Sequence, residues 1–278
     1  LYRDWAKLLA MVEVRTPFPF LFGDSSPDSD QTSNGHGTRT VVLGHRGVMR
    51  YENTLRGFGD ALAHGLDGVE LDLMLSADHE VVVFHDDDLK RLAGRRDLVA
   101  STPWHELERI TLRCGERIPL LRDLLATWPR EKALNLELKS GGPALVEALA
   151  PILRDSCESG RLRAQQVVFS SFDPRLLEAA AQRMPEFMRA MLLEKDSPSW
   201  LHADLGRSYG VAGVHLAASL FSPNTIERLR DLGLYSGVWG ARSAAHELEL
   251  ARAGVSLVIT DSPNRHPLFG ARAESVLP

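Results

Sequence analysis

Three features of the sequence predict its fold class: nine short apolar runs, helical patterns between most of them, and one connection too short to hold a helix. Together they give an α/β chain, a TIM (β/α)8 barrel with a hairpin and loop insertion after the second strand. The 278 residues fall short of two average domains, and one α/β barrel commonly takes roughly 250 residues. Strand-like runs that alternate with helix signals mark βα units around a mostly parallel sheet. Hydrophobic residues form 44% of the chain, which supports a sizeable core.

Residues 1–39 read differently from the rest. Leu1 to Val14 mixes Arg3, Asp4, Lys7 and Glu13 among apolar residues, as a short amphipathic helix does and an uninterrupted secretory core does not. Gly23 to Thr38 is rich in Ser, Asp, Gly and Asn, shows no apolar periodicity and reads as a flexible linker. The expected organisation is an N-terminal segment and linker over 1–39 and a barrel domain over 40–278.

The candidate strands are Val41 to Leu43, Val69 to Leu73, Val81 to Phe84, Ala133 to Leu138, Val167 to Ser170, Ala190 to Leu193, Gly213 to Leu216, Tyr235 to Trp239 and Leu257 to Thr260. Asn53 or Thr54 can cap a helix that carries Leu55, Phe58 and Leu62 on one face and ends at Gly65. Asp173-Pro174 and Ser222-Pro223 each offer a capping side chain followed by proline at the first helical position. Nine strands exceed an eight-stranded barrel by one, and spacing identifies the extra strand. Met74 to Glu80 is shorter than the dozen or so residues of a parallel crossover, so residues 69–84 read as an antiparallel hairpin above the rim. A turn centred between Asp78 and His79 sets Asp72 opposite His85. The insertion then covers about residues 74–120, with a loop-rich stretch from Asp86 to Leu120.

Lysine and arginine number 32 against 37 aspartates and glutamates, for a formal charge of −5. The cations are interspersed with acids and form no stripe, which argues against a nucleic-acid partner. No apolar run approaches the roughly 18 residues of a membrane-spanning helix. Cys114 and Cys157 stand alone, so neither a cysteine-rich zinc site nor a disulfide framework is expected.

Barrels of this kind carry chemistry at the C-terminal ends of their strands, and polar residues gather there. His45 and Arg46 follow the first strand, Glu70 and Asp72 lie in the second, His85 and Asp86 follow the hairpin, and Glu137 and Lys139 end the next barrel strand. Alternation with period two puts Glu70 with Asp72 and Glu137 with Lys139 on shared faces. Leu134, Leu136 and Leu138 take the opposite face, which leaves Glu137 and Lys139 in the lumen, where unpaired charge is costly. Convergent carboxylates at Glu70, Asp72 and Glu137 form a hard oxygen site suited to one divalent cation, Mg²⁺ or Ca²⁺. The alternative is an ion network neutralised by Arg46 and Lys139. Charge counting favours the metal: the three carboxylates and two cations leave −1, a bound phosphodiester makes it −2, and a divalent cation restores zero. His45 and His85 are the candidates for proton transfer, because imidazole titrates near neutral pH and both sit at the carboxylate-bearing rim. Asp86 is placed either to orient His85 or to begin a turn.

The ordered set His45-Arg46-Gly47, Glu52-Asn53-Thr54, Glu70-Leu71-Asp72, His85-Asp86, Glu137-Leu138-Lys139, Ser171-Phe172, Trp239 and Thr260-Asp261-Ser262-Pro263 resembles the glycerophosphodiester phosphodiesterases. The resemblance runs from about Val41 to Pro263; each motif is weak alone, and their joint order is specific. It implies a TIM barrel with an insertion after the second strand, one divalent metal, and hydrolysis of a glycerophosphodiester to sn-glycerol 3-phosphate and an alcohol. By matching position it makes Glu70, Asp72 and Glu137 metal ligands, His45 and His85 an acid/base pair, Arg46 and Lys139 phosphate clamps, and Glu52 and Trp239 site-lining residues. Asn53 and Thr54 are expected only to cap the first helix, and Thr260 and Asp261 to shape the last loop. Tyr51 stands where a proline commonly precedes the Glu-Asn-Thr run, Asp78-His79 replaces a common Asp-Gly turn, Gly240 stands where a threonine is common, and Lys90 to Gly94 lacks frequent threonines. The order of action of the histidines, and the choice between water and a glycerol hydroxyl as nucleophile, stay open.

Two other functions fit the same barrel. A lysophospholipase D-type activity needs a surface for an acyl chain, with Leu216 to Phe221 as the candidate loop. A silent phosphodiester-binding barrel has no need of two histidines beside three carboxylates. The expected partner is a small-molecule glycerophosphodiester, with no transmembrane segment; weak contact with a membrane surface is compatible with the amphipathic start. A cytoplasmic enzyme is the default expectation, and since the chain does not begin with Met a secreted or periplasmic form stays open.

Overall fold

In the computed structural model, which describes residues 16–22, 39–197 and 210–263, each expected strand forms within two residues of its expected bounds. The strands are β1 (Val41–Gly44), β2 (Gly68–Leu75), β3 (Val81–Val83), β4 (Ala133–Leu138), β5 (Val167–Ser171), β6 (Met188–Leu193), β7 (Gly213–Ala217), β8 (Tyr235–Trp239) and β9 (Leu257–Thr260). All but β3 pair in parallel around a ring, and β9 closes it on β1 from Val41 opposite Leu257 to Gly44 opposite Thr260. Closure leaves the eight-stranded ring without a free edge and makes the TIM barrel. The expected helix over Leu1 to Val14 and the linker over Gly23 to Thr38 lie outside the described residues.

The described helices are α1 (Leu55–Ala63), α2 (Lys90–Ala93), α3 (Trp104–Leu107), α4 (Leu121–Ala126), α5 (Pro143–Glu158), α6 (Pro174–Arg183), α7 (Pro223–Asp231) and α8 (Ala244–Arg252). Capping side chains start four of the longer ones, Ser243 doing so for α8 by accepting from the His246 amide at 3.2 Å. Thr54 accepts from the Gly57 amide at 3.1 Å, Asp173 from Arg175 at 2.9 Å and Ser222 from Thr225 at 3.1 Å. Outward-facing Val69, Leu71 and Leu134 pack with Phe58 of α1, Leu149 of α5 and Leu176 of α6. Each such side chain, fully buried, contributes about 1.5–3 kcal/mol. Leu55 departs from the expected apolar face and is 49% exposed. It lies in the first turn of α1 and borders a groove shared with Trp104 of the insertion.

β3 pairs antiparallel with β2, as its short connection requires, but the register differs from the expected one by a residue. Leu73, Met74 and Leu75 face Val83, Val82 and Val81, and the Phe84 amide donates to Asp72 O at 3.1 Å. Asp72 therefore stands opposite Phe84 and not His85. The cause is a three-residue loop: the His79 amide donates to Ser76 O, and His79 takes a left-handed φ of 62° that closes the turn. Glycine adopts that conformation without strain, which is why an Asp-Gly pair is common there. The stretch from Asp86 to Leu120 folds around its own apolar cluster, with Met74, Phe84, Leu89, Leu107, Leu112 and Ile118 in contact.

The N-terminal end of the lumen is filled by Val41, Ala133, Tyr235 and Leu257, the first residues of their strands or close to them, together with fully buried Phe18. Phe18 joins the barrel core from within the stretch expected to be an N-terminal segment and linker. Phe18→Ala should cost about 3–5 kcal/mol in urea unfolding. A loss below about 1 kcal/mol would show that this plug adds nothing to barrel stability.

His215 of β7 is wholly buried in the lumen, with Nε2 3.1 Å from the Tyr235 hydroxyl, and burial lowers its pKa to about 3. The unfolded chain takes up a proton on this histidine as pH falls through about 6.5, whereas the folded state holds it neutral. Its contribution to stability is therefore full above about pH 6.5 and declines below it by up to about 1.4 kcal/mol per pH unit. Urea midpoints of the wild type and His215→Gln at about pH 7.5 and about pH 5 check this. The variant should lose less on acidification, and equal losses would clear His215 of the effect.

Candidate active site

The first wall of the site is the turn Gly44-His45-Arg46-Gly47 that leaves β1. Arg46 and Gly47 take left-handed backbone, with φ 51° and 79°, and a Cβ on Gly47 would lie 2.7 Å from the Gly57 backbone. Glycine is thus required for the turn to close onto α1, and the strained Arg46 backbone costs about 1–3 kcal/mol. The return is an aimed donor: the Arg46 amide reaches Glu70 Oε2 at 3.0 Å.

Glu70 and Asp72 of β2 and Glu137 of β4 turn into the lumen, and one oxygen from each lies within 4.8 Å of the others. Strand register does this, since Asp72 stands directly across from Glu137. Burial raises the pKa of Glu70, and the charges of Asp72 and Glu137 add to it against the opposing His45 and Arg46 amide. Glu137 is raised by burial and by Asp72, with Lys139 opposing. Lys139 Nζ lies 3.1 Å from Glu137 Oε1 and 3.5 Å from Asp72 Oδ1, while Arg46 Nε lies 3.3 Å from Asp72 Oδ2. Glu70 Oε1 is buried with no hydrogen-bond partner. Such an oxygen is costly unless something positive meets it, and an all-carboxylate donor set fits a hard divalent cation.

Both expected histidines reach this place, each held from behind by a carboxylate. His45 Nδ1 is 2.5 Å from Asp261 Oδ1, and its Nε2 lies 3.9 Å from Glu70 Oε2. His85 Nδ1 is 2.6 Å from Asp86 Oδ1, so Asp86 does orient the ring. A carboxylate on Nδ1 selects the tautomer and leaves Nε2 for the cavity. Burial works to lower the His45 pKa, but the Asp261 hydrogen bond and the Glu70 charge outweigh it and the result is above the ordinary value. For His85 burial wins over Asp72 and Asp86, and the pKa ends below it.

His45, Arg46, Glu70, His85, Glu137 and Lys139 line one cavity of about 240 Å³, completed by Asn135, Phe172, Leu192, Glu194, Trp239 and Ile259. Trp239 meets Phe172 edge-on, with ring centroids 6.0 Å apart. Glu52 does not reach this lining; it is buried behind Arg46 and accepts from Arg46 Nη1 at 2.7 Å.

Two roles escaped the reading of the sequence. Asn53 is no helix cap: with φ 55° it donates Nδ2 to Asp72 Oδ2 at 2.7 Å and accepts from the Asp72 amide at 3.3 Å, leaving Thr54 to cap α1. A helix start needs one cap, and two adjacent candidates were the available signal. Asp261 does more than shape a loop, because β9 lies beside β1 and delivers its carboxylate to His45. Thr260 keeps the expected part, accepting from the Ser262 amide at 3.0 Å. Asn135, unnoticed in the sequence, lies two residues before Glu137 on the lumen face of β4, where alternation with period two places it.

The family model of the glycerophosphoryl diester phosphodiesterase family matches residues 43–265. The chain belongs to that family. A glycerophosphodiester phosphodiesterase of Caldanaerobacter subterraneus subsp. tengcongensis is 26% identical over 238 residues, 81% of this chain and 95% of its own length. Among solved structures, a phosphodiesterase of Oleispira antarctica in complex with the product sn-glycerol-3-phosphate is similar with a TM-score of 0.73 and 26% identity, over 82% of this chain and 95% of that one. A glycerophosphodiester phosphodiesterase of Thermotoga maritima gives 0.70 and 28%, over 85% and 100%. In this member of the glycerophosphoryl diester phosphodiesterase family, Leu216 to Phe221 does not form an open apolar surface. Leu216 and Ala218 are buried, and Leu220 and Phe221 pack against the cluster that holds Ile226 of α7.

Proposed function

We propose that this protein hydrolyses glycerophosphodiesters to sn-glycerol 3-phosphate and an alcohol, using one divalent cation and the two histidines. The observation that carries this reading is the convergence, in one cavity, of three carboxylates, two imidazoles held on their Nδ1 atoms, and the cations of Arg46 and Lys139. The product held by the Oleispira antarctica relative supports the substrate class.

Glu70, Asp72 and Glu137 would hold the cation, which when bound supplies positive charge to the phosphoryl group and acidity to a nearby hydroxyl. Arg46 and Lys139 bring positive charge to the same cavity for the phosphoryl oxygens. With Nδ1 engaged, each imidazole offers Nε2, one to take the proton of the attacking hydroxyl and the other to give a proton to the leaving oxygen. Phe172, Leu192, Trp239 and Ile259 form the apolar part of the wall. The packed loop after β7 favours a soluble substrate over an acyl chain.

A ³¹P NMR time course on glycerophosphocholine mixed with lysophosphatidylcholine, with Mg²⁺, with Ca²⁺ and with EDTA, tests the reading. Glycerol 3-phosphate should form only with a cation. Lysophosphatidic or cyclic phosphate signals would move the assignment to lysophospholipid cleavage, and turnover undiminished in EDTA would overturn the metal's part.

A further inference from the structure

Arg91 lies in α2, inside the insertion, and is absent from the cavity lining. Its Nε donates to Asp86 Oδ2 at 2.6 Å and its Nη2 to Asp86 Oδ1 at 2.9 Å. The same guanidinium reaches Glu52, through Nη1 to Oε1 and through Nη2 to Oε2 at 3.0 Å. Asp86 Oδ1 is also the atom that holds His85 Nδ1, and Glu52 Oε2 is the atom that accepts from Arg46 Nη1. An unbroken series therefore runs from His85 to Asp86, Arg91, Glu52 and Arg46.

We propose that Arg91 is a positioning residue that sets the His85 ring through Asp86 and the Arg46 guanidinium through Glu52. The proposal rests on the hydrolase reading of the site. Asp86 by itself is a loose anchor, because its carboxylate can rotate about its own side-chain torsions. Two parallel donors from a planar guanidinium remove that freedom, and the same plane presents further N–H groups to a second carboxylate. Glu52 is only 6% exposed, so without Arg91 it would keep Arg46 as its sole strong cation and draw that side chain away from phosphate. Lysine cannot substitute, since an ammonium group is a point donor that does not match two carboxylates in one plane. The insertion thereby reaches the chemistry without touching substrate.

The test compares wild type, Arg91→Ala and Arg91→Lys for turnover, for melting temperature and for the His85 tautomer by imidazole ¹H–¹⁵N NMR, with the signal assigned through His85→Gln. Arg91→Ala should lose roughly 10- to 100-fold in kcat/KM, the scale of a small misplacement of reacting groups. Its melting temperature should stay within about 4 °C of wild type. Added guanidinium ion at about 20 mM should restore part of the rate, as methylammonium does not, because the site is half-exposed and selects a planar fork. Arg91→Lys should remain impaired. In wild type His85 should carry its proton on Nδ1, and in Arg91→Ala it should populate both tautomers. Full activity with an unmoved tautomer would overturn the proposal, and so would a loss that tracks a collapsed melting temperature and resists rescue. If the wild type cleaves no glycerophosphodiester, the hydrolase reading fails, while the tautomer comparison still decides whether Arg91 holds His85.

Discussion

Glu70→Gln is expected to abolish cation binding and turnover while leaving the cation-free protein as stable as wild type or more so. The two effects have opposite signs for one reason. Glu70 is buried, faces Asp72 and Glu137, and has one oxygen without a hydrogen-bond partner. Glutamine removes a carboxyl whose ionised form is opposed by desolvation and repulsion, while the cation loses an anionic ligand. Titration calorimetry with Mg²⁺ or Ca²⁺ should show heat for wild type and none for the variant. The rate should fall by at least about 10³-fold, since the charge supplied by a metal is worth several kcal/mol in the transition state. Melting in EDTA and in cation gives a third reading, because a ligand that binds only the folded state raises its stability. A variant whose melting temperature still rises with cation as wild type does, or which turns over normally in chelator, would remove Glu70 from the ligand set. Asp72→Asn and Glu137→Gln should behave alike in binding.

His85→Ala should lower kcat by about 10²- to 10⁴-fold with a smaller effect on KM, and His45→Ala should do the same. Geometry supports a chemical role over a packing one. Each ring meets a carboxylate at Nδ1, at 2.6 Å and 2.5 Å, and each lines the cavity that Glu70 and Glu137 also line. Neither side chain is part of the apolar clusters, so alanine removes a proton carrier and little core. Steady-state kinetics on glycerophosphocholine read the effect, and near-normal kcat in either variant would exclude that histidine from proton transfer.

Much of the architecture was legible because it depends on local properties. Connection length alone separated the β2–β3 hairpin from the parallel strands, and residue parity put Glu70 with Asp72 on one face and, with leucines on the opposite face, sent Glu137 to the lumen. Capping chemistry placed the starts of α6 and α7. Register was less accessible. A single residue, His79, takes left-handed backbone and shifts every pairing of the hairpin by one, which moved Asp72 from His85 to Phe84. Beyond that turn His85 leaves the regular pleat, so its approach to the cavity could not follow from alternation.

The partners of the site residues were the least accessible. Asn53 beside Thr54 has the chemistry of a helix cap, and only the strained turn after β1 brings its amide 2.7 Å from Asp72. Asp261 and His45 are 216 positions apart and meet because β9 closes the ring on β1. Arg91 has no distinguishing mark in sequence and gains its place through the fold of the insertion. The sequence by itself determined which residues become strands and which of their faces are charged, because those follow from spacing along the chain. Tertiary structure decided which carboxylate holds which imidazole and which guanidinium, because a hydrogen bond requires a few ångströms between segments that only barrel closure brings together.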